Sequence, residues 1–342
     1  VRDRAKPADT KVALRGNFRS AGEVAPRGFL TALNVKDVEG INAKQSGRLE
    51  LARWMTSRQN PLTARVLVNR LWHHLFGQGI VSSVDNFGIM GSRPTHPELL
   101  DQLAIDFMED GWSIKRMIRR IVLSRTYQLS CKSNQRNMRY DADNRLLWRS
   151  SPRRVPVEVL RDSILAISGQ LDVDPPVGST VTPLGDQMVR GVDTKKLQPP
   201  SNHRSVFLPV IRDYPPTMFD RFDFPSSALV SGKRSVTNTP EQALFLRNSK
   251  FIEEQSKHAA ERVLERLPEA DEAKRLEIVM LQMFARTASV DEQTHATRLL
   301  SATRDSVTKA DEKEVTAWSS LFQSLFATAE FRYLVDADTD SH

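Results

Sequence analysis

The stretch from Asn60 to Leu100 constrains the fold of this chain more than any other, because helix signals occur at both of its ends. Asn60 can cap a helix, and Pro61 fits the first turn, where a missing N–H costs nothing. Apolar residues then recur at helical spacing. They are Ala64, Leu67, Val68, Leu71 and Leu75. We therefore predict a helix that stops at Gly77, followed by a short turn and a second helix.

Thr95 and Glu98 indicate how that second helix begins. They have the spacing of a capping box, in which the Thr95 hydroxyl accepts a hydrogen bond from the N–H of Glu98. In return, the Glu98 carboxylate accepts one from the N–H of Thr95. We expect this helix to run from His96 to about Asp110.

Helical periodicity accounts for most of the remaining chain. The predicted helices cover residues 46–60, 113–122, 156–168, 240–267, 271–287, 290–308 and 311–329. The first of these is expected to turn Leu49, Ala52, Trp54 and Met55 inward. Short strands are predicted near residues 11–15 and 203–210. The fold class is therefore mainly α: an irregular multi-helix bundle with a few short strands and a long Pro/Gly-rich central loop region.

The same patterns divide the chain into five segments. We predict an extended lead-in or interdomain segment over 1–45, a helical subdomain with the His/Asp-rich segment over 46–170, and an irregular loop and strand region over 171–238. A C-terminal helical region over 239–336 and a tail over 337–342 follow. A length of 342 residues allows one large or two modest domains.

Composition limits the possible cofactors. Cys131 is the only cysteine, so the chain can form no internal disulfide and no thiolate metal cluster. It also lacks the Cys-x-x-Cys-His motif that attaches a c-type haem. We expect no cofactor within this chain, with a metal ion as the exception considered below. Hydrophobic residues make up 39% of the chain, but no run approaches the ~20 apolar residues that span a bilayer.

Charge is unevenly distributed along the chain. Residues 111–170 contain 13 Lys or Arg against 4 Asp or Glu, a local charge of +9, whereas residues 241–342 contain 13 against 19, a local charge of −6. Such asymmetry indicates an anionic partner, which is a nucleic acid, an acidic polysaccharide or the acidic half of the same molecule. Because no helix-turn-helix, zinc-finger or RNA-binding signature accompanies the basic residues, nucleic acid is the least favoured of these partners.

The first predicted helix of the Asn60–Leu100 stretch and the turn after it hold most of the candidate binding residues. They are Asn69, Arg70, His73, His74, Asp85 and His96. Adjacent histidines point about 100 degrees apart on a helix, so a metal site would use only one of them, with Asp85 or His96 folding back from the turn. The alternative is structural: His73 or His74 packs near Trp72 and bonds a loop carbonyl.

A second group of candidates lies further along the chain. It comprises Arg153, Arg154, Asp220 and Asp223. Asp220 and Asp223 are surrounded by aromatic residues, which suits stacking on a sugar but also suits a loop that anchors itself. Arg145, Arg149 and the two adjacent arginines could clamp anionic groups, with internal pairing to a nearby carboxylate as the alternative.

Several segments of the chain resemble a known family. These are Asn60–Leu100, Gly111–Lys115, Ser124–Tyr127, Asn144–Arg149, Arg153–Arg154 with Arg161–Asp162, Thr239–Leu246 and Glu330–Phe331. They resemble the planctomycete-type domain of unknown function 1553 family. The resemblance implies an exported multidomain protein in which this domain often follows a planctomycete-specific domain and sometimes a cytochrome c-type module. It brings no catalytic residues with it. Since this chain carries no signal peptide of its own, we expect that an upstream part precedes Val1.

The predicted function is therefore that of a module of an exported protein which binds a partner domain or an anionic or glycan ligand near His73, Asp85 and His96. The expected partners are the upstream domain or an adjacent exported protein. The alternative is a hydrolase or redox enzyme that acts on polysaccharide at the same place. A second alternative is nucleic-acid binding.

Overall fold

The computed structural model describes residues 6–179, 182, 197–212, 214–227 and 229–335. The chain forms two compact units. The first contains Val1–Leu129 and Gln135–Ser150, and the second contains Ser130–Asn134 and Ser151–His342. The main boundary therefore follows Ser150, twenty residues before the predicted boundary at 170. The predicted tail at 337–342 lies outside the described residues.

The first unit opens with a β-hairpin. Strand β1 (Thr10–Ala13) pairs antiparallel with β2 (Ala21–Ala25), so that Thr10 faces Ala25 and Ala13 faces Ala21. The predicted strand near 11–15 is therefore correct in place, but it ends at Ala13 because the chain turns through a 3-10 helix at Leu14–Gly16. The partner strand was not predicted, because its short sequence carries no alternating pattern.

Helix α1 (Arg48–Thr56) follows. Its buried residues are Glu50 and Trp54, one helical turn apart, and the Trp54 ring stacks on Phe29 with centroids 5.6 Å apart. The predicted inward face was wrong apart from Trp54, since Leu49, Ala52 and Met55 are exposed. A nine-residue helix buries only a narrow stripe of its surface. The positions of the apolar residues in the sequence did not show which stripe of α1 that is.

Three further helices build the core of the first unit: α2 (Thr63–Phe76), α3 (Pro97–Glu109) and α4 (Ile114–Val122). Their buried side chains form one cluster. It includes Ala64, Val68, Trp72, Leu100, Leu103, Phe107, Met117 and Ile121. The predicted helices and apolar stripe are confirmed here. The short helix α5 (Gln135–Tyr140) completes the unit.

The helix starts in this unit agree only in part with the prediction. Asn60 caps α2, because its Oδ1 accepts hydrogen bonds from the N–H groups of Leu62 (3.0 Å) and Thr63 (3.3 Å). The predicted Thr95–Glu98 capping box was wrong. Helix α3 has no side-chain cap, and both the N–H and the hydroxyl of Thr95 donate to the carbonyl of Ile80. The Thr95 hydroxyl therefore bonds a residue 15 positions away in sequence and not the start of α3, as the local spacing had predicted.

The second unit is a helical bundle. Its helices are α6 (Val157–Ser168), α7 (Thr217–Arg221), α8 (Pro240–Asn248), α9 (Lys250–Arg266), α10 (Glu272–Phe284), α11 (Val290–Ser306), α12 (Lys313–Phe326) and α13 (Ala329–Arg332). Helix α9 packs on α6 and α12, and α12 also packs on α11. The strands β3 (Arg153–Arg154) and β4 (Tyr333–Leu334) pair antiparallel beside the bundle.

Two predictions for this unit were wrong. The segment 203–210 is not a strand: it contains a 3-10 helix at Ser205–Phe207, and only a single bridge joins His203 to Asp172. The predicted helix over 240–267 is two helices, because Ser249 leaves the helical conformation and its hydroxyl caps α9 by accepting from the N–H of Ile252.

The predicted mainly α architecture is confirmed, since the described residues form thirteen α-helices and two small two-stranded sheets. The core of the second unit centres on α12. On this helix Trp318, Leu321, Phe322 and Phe326 are buried, and Val315 and Leu325 pack against them. Among the described residues, no helix has the length and apolar character needed to cross a membrane.

Candidate functional site

Asn69 on α2 holds the segment that follows the helix. Its side chain is completely buried, its Nδ2 donates to the carbonyl of Val81 (3.0 Å), and its Oδ1 accepts from the N–H of Val81 (2.8 Å). Both amide atoms are therefore engaged by the backbone. Of the predicted binding residues, Asn69 is thus one whose side chain serves the fold, whereas its neighbour Arg70 is exposed.

The histidines and the acidic residue of this segment differ in burial and in their contacts. His73 is half-buried and His74 is exposed, and their rings meet edge to face with centroids 5.4 Å apart. The Nδ1 of His96 lies 2.9 Å from the Oγ1 of Thr95. The exposed Asp85 side chain makes no hydrogen bond or ion pair within the described part of the chain. Its position is set by the turn, which packs Phe87 inward.

The ligand chemistry of these residues follows from that geometry. No group of three or more His, Cys, Asp or Glu side chains in the described ranges is arranged to hold a metal ion. A single imidazole with water ligands would hold a metal weakly, because stable protein sites use three or four side-chain ligands. Ligand binding near His73, Asp85 and His96 stays a prediction.

The turn between α2 and α3 nevertheless presents a defined surface feature. The backbone is fixed by hydrogen bonds from Ser92 N to Ser83 Oγ (2.8 Å) and from Ser83 Oγ to the Asn86 carbonyl (2.7 Å). At the tip, Ile89 and Met90 are almost fully exposed. An apolar pair held out by an ordered turn is a feature that sequence patterns did not reveal.

Helix α4 carries a group of exposed basic residues. Its inner face buries Met117 and Ile121 against the core, whereas Lys115, Arg116 and Arg119 are exposed. Those three make no ion pair with any described residue. We call them the α4 basic surface. Ser113 fixes the start of the helix by accepting a hydrogen bond from the N–H of Arg116 (3.4 Å).

The neighbouring arginine behaves differently. Arg120 pairs with Asp106 and lies 3.4 Å from Asp110, both on or next to α3. The basic segment is therefore partly neutralised, and in this case the partners are carboxylates of its own unit rather than the acidic C-terminal helices.

In the second unit, Arg154 and Asp223 lie together although 69 residues separate them in sequence. The Nη1 of Arg154 donates to the Oδ2 of Asp223 (3.0 Å) and to the carbonyl of Thr237. Its guanidinium also lies over the ring of Phe222, 5.4 Å from the centroid. Only 6% of the Arg154 side chain is exposed, so this pair is internal.

The Asp223 carboxylate is surrounded by donors. Its Oδ2 accepts from the N–H of Thr237 (2.9 Å) and its Oδ1 from the Thr237 hydroxyl (2.8 Å), while the Nε2 of Gln242 lies 3.4 Å away. Burial acts to raise the pKa of Asp223, but these hydrogen bonds and the charge of Arg154 outweigh it and lower the pKa. Asp223 is therefore an anion whose charge is paired within the fold.

The other predicted residues of this unit are more exposed. Asp220 lies on the surface of α7, and Arg153 is half-buried in β3, where it pairs with Leu334. In the first unit, the guanidinium of Arg149 lies over the ring of Trp148, 5.1 Å from its centroid. Glu158 binds the guanidinium of Arg234 through two hydrogen bonds of 2.6 and 2.7 Å.

Arg161 fixes the irregular segment that follows residue 197. Its Nη1 donates to the carbonyl of His203 (2.9 Å) and to the hydroxyl of Ser205 (3.1 Å), and that hydroxyl also bonds Asp162 (2.6 Å). Burial lowers the pKa of Arg161, and the nearby Asp162 opposes that effect. The Arg161–Asp162 pair quoted above as a signature therefore organises the loop.

Sequence reasoning missed Thr237, Gln242 and Arg286 as members of polar networks, of which Gln242 is buried, Arg286 half-buried and Thr237 exposed. Gln242 has a recognisable signal, because Thr239 and Gln242 form a capping box at the start of α8. Arg286 joins α10 to α13 by bonding Glu330 (2.6 and 2.8 Å) and Glu292 (2.7 Å). No local pattern reveals that arrangement.

Comparison with known proteins decides the family. A profile described as Protein of unknown function (DUF1553) matches residues 47–300. The chain belongs to the DUF1553 family. This confirms the resemblance noted in the sequence. No curated protein and no solved structure matches the chain.

The DUF1553 match covers all ten candidate residues and both polar networks around Arg154 and Arg161. The hairpin of β1 and β2 precedes it, and α12 follows it. The α4 basic surface also lies inside the matched range.

Proposed function

We propose that this chain is a binding module of an exported multidomain protein, and that its α4 basic surface holds an acidic polysaccharide. The observation that carries the proposal is the set of three exposed cations, Lys115, Arg116 and Arg119, which have no ion-pair partner in the described part of the chain. The exported setting follows what the family resemblance implies. The neighbouring domain of the same protein is a further proposed partner.

Helix geometry supports multivalent contact with a linear polyanion. Lys115 and Arg119 are four residues apart, so they point to the same side of α4 and lie about 6 Å apart along its axis. Arg116 flanks them. A guanidinium can bind a carboxylate or sulfate through two parallel hydrogen bonds, and a polymer that repeats its charge can meet all three residues together.

The platform beneath these cations is rigid. Met117 and Ile121 are buried in the core of the unit, and Ser113 caps the first turn. Less conformational freedom is lost on binding when the helix that presents the cations is already ordered. Pairing of Arg120 with Asp106 limits the exposed charge to three residues. Three cations suit moderate affinity for a flexible polyanion.

Binding can be measured with dextran sulfate and polygalacturonate as probes, neutral dextran as the uncharged control and duplex DNA as a competing polyanion. We expect both acidic glycans to bind, with the logarithm of the association constant falling by about 2 to 3 per logarithm of salt concentration. Neutral dextran should not bind.

The matched variants are K115Q/R116Q/R119Q and K250Q/K257Q. The first removes the α4 basic surface, and the second removes two exposed cations of α9 that lie near Glu254 and Glu261. We expect the triple variant to lose at least about tenfold in affinity for the acidic glycans and the double variant to bind as the parent does.

The proposal fails if the triple variant binds the acidic glycans as tightly as the parent chain. It also fails if neutral dextran binds equally well, because recognition would then not depend on charge. DNA binding much tighter than that of either acidic glycan would replace a polysaccharide with nucleic acid as the ligand of this surface.

A further inference from the structure

The second unit contains a cleft of about 130 Å³ whose walls come from α6, α9, α10 and α12. Most of its lining is hydrocarbon. The apolar lining residues are Ile167, Ala259, Val263, Leu267, Ile278 and Phe322. An engineered cavity of about 150 Å³ with a similar aliphatic and aromatic lining binds benzene, so this cleft is suited to a group the size of one ring.

Charge in the cleft has one sign. The remaining lining residues are Arg262, Arg266 and Gln282, so no carboxylate contributes to the lining. Arg262 uses its Nη1 to donate to the carbonyls of Ala166 (2.6 Å) and Ile167 (2.7 Å), at the C-terminal end of α6. Arg266 is exposed and has no hydrogen-bond or ion-pair partner among the residues that the structure describes.

The two guanidinium groups raise each other's energy. Arg262 and Arg266 are four residues apart on α9, the spacing at which like charges on a helix destabilise it. Burial lowers the pKa of Arg262, and the positive charge of Arg266 lowers it further. The cleft thus combines an apolar floor with two arginines that form no ion pair with a carboxylate of the described part of the chain.

We propose that this cleft binds a small carboxylate with an apolar body, of the aryl or branched-alkyl class. The apolar body fills the space between Ile167, Ile278 and Phe322. The carboxylate meets Arg266 and the side of the Arg262 guanidinium that does not face α6. Binding relieves the repulsion between the two arginines and removes apolar surface from water.

Benzoate is the probe, with benzamide as a neutral molecule of the same shape and acetate as an anion without an apolar body. Isothermal titration calorimetry on the whole chain gives affinities, and methyl NMR of the isoleucines locates the site. We expect benzoate to bind with a Kd on the order of 1 mM or tighter, and benzamide and acetate to bind at least about tenfold more weakly. The methyl signals of Ile167 and Ile278 should shift.

Two exposed arginines provide matched variants. R266Q should lose at least about tenfold in benzoate affinity, whereas R298Q should not, because Arg298 lies on α11 and does not line the cleft. Both variants should fold as the parent does, since neither residue is buried or paired.

Three results would overturn the proposal. One is the lack of measurable benzoate binding at about 10 mM. Another is binding of benzamide or acetate with the same affinity as benzoate, which would show that the cleft does not recognise both the charge and the apolar body of its ligand. The third is full affinity in R266Q, or methyl shifts confined to isoleucines away from the cleft.

Discussion

Asn69 and Val81 exchange two hydrogen bonds, of 3.0 and 2.8 Å, so that a side-chain amide pairs with a backbone unit as a neighbouring strand would. Because of this pairing, the chain that follows Gly77 runs back beside α2. It contacts the helix at Asn69, one turn before His73. It explains why a polar residue is completely buried on a helix that otherwise packs apolar side chains. The turn that carries Asp85 and His96 starts from this contact.

Replacing Asn69 with Ala should destabilise the protein by about 2–4 kcal/mol, because the N–H and carbonyl of the buried Val81 would both lose their partner. Urea unfolding followed by circular dichroism measures the change. R70A is the control. Arg70 is the next residue along the chain and is exposed, so this variant should change the free energy of unfolding by no more than about 0.5 kcal/mol. Equal stabilities for N69A and the parent would contradict the structural role of Asn69.

Gly79 is required by the same contact. A Cβ at this position would lie 2.5 Å from the Val81 carbonyl oxygen and 2.8 Å from Nδ2 of Asn69. G79A should therefore cost about 1–3 kcal/mol through overpacking. At Gly40 an added Cβ meets nothing within 4 Å, so G40A should unfold at nearly the same urea concentration as the parent. A neutral G79A would mean that the turn can move away from α2.

The Arg154–Asp223 pair should show energetic coupling. R154M leaves Asp223 without its cation and should cost about 3–5 kcal/mol. In R154M/D223N that charge is gone, so the double variant should lose less stability than the two single variants together. A double-mutant cycle in urea tests this, and additive losses would show that the two side chains do not interact.

Acid should weaken the contact between α10, α11 and α13. Two hydrogen bonds from Arg286 lower the pKa of Glu292 to about 2 from 4.5. A carboxylate with a lowered pKa stabilises the fold above its unfolded pKa, and that stabilisation is lost as pH falls through the folded value. The difference in stability between the parent and E292Q should therefore be complete at pH 7 and shrink from about pH 4.5 to about 2.

The size of this difference should be about 1 kcal/mol, since the Glu292 side chain is 40% exposed and solvent screens the pair. Unfolding in urea at a series of pH values measures it. E269Q is the control, because Glu269 is exposed and unpaired in the described part of the chain. A constant difference between the parent and E292Q down to pH 2.5 would contradict the lowered pKa.

Trp318 should be the most costly side chain to remove from α12. It is fully buried, so W318A should cost ~3 to 5 kcal/mol through the cavity that it leaves. W318F should cost less, because the Trp318 Nε1 is buried without a hydrogen-bond partner and its loss leaves nothing unsatisfied. The folded W318A protein should keep its affinity for acidic glycans. Loss of binding with full stability would place the functional surface on the C-terminal helices.

The sequence by itself determined most of the long helices and the buried face of α2. Helices α2, α4 and α12 were predicted, α2 with its apolar stripe, because the period of 3.6 residues and the flanking caps are properties of neighbouring residues. The family was likewise recognisable from short segments. The exposed outer face of α4 also follows from periodicity alone, once the inner face is known to be buried.

Tertiary structure decided which polar groups meet. The hydroxyl of Thr95 bonds Ile80 and not Glu98, the Asn69 amide pairs with Val81, and the Arg154–Asp223 pair spans 69 residues. A buried polar atom needs a hydrogen-bond partner. Which partner it finds depends on the tertiary fold, because the packing of helices distant in sequence determines which polar groups are removed from water together. For the same reason only the structure separates Arg120, which is paired, from Lys115, Arg116 and Arg119, which make no ion pair within the described ranges.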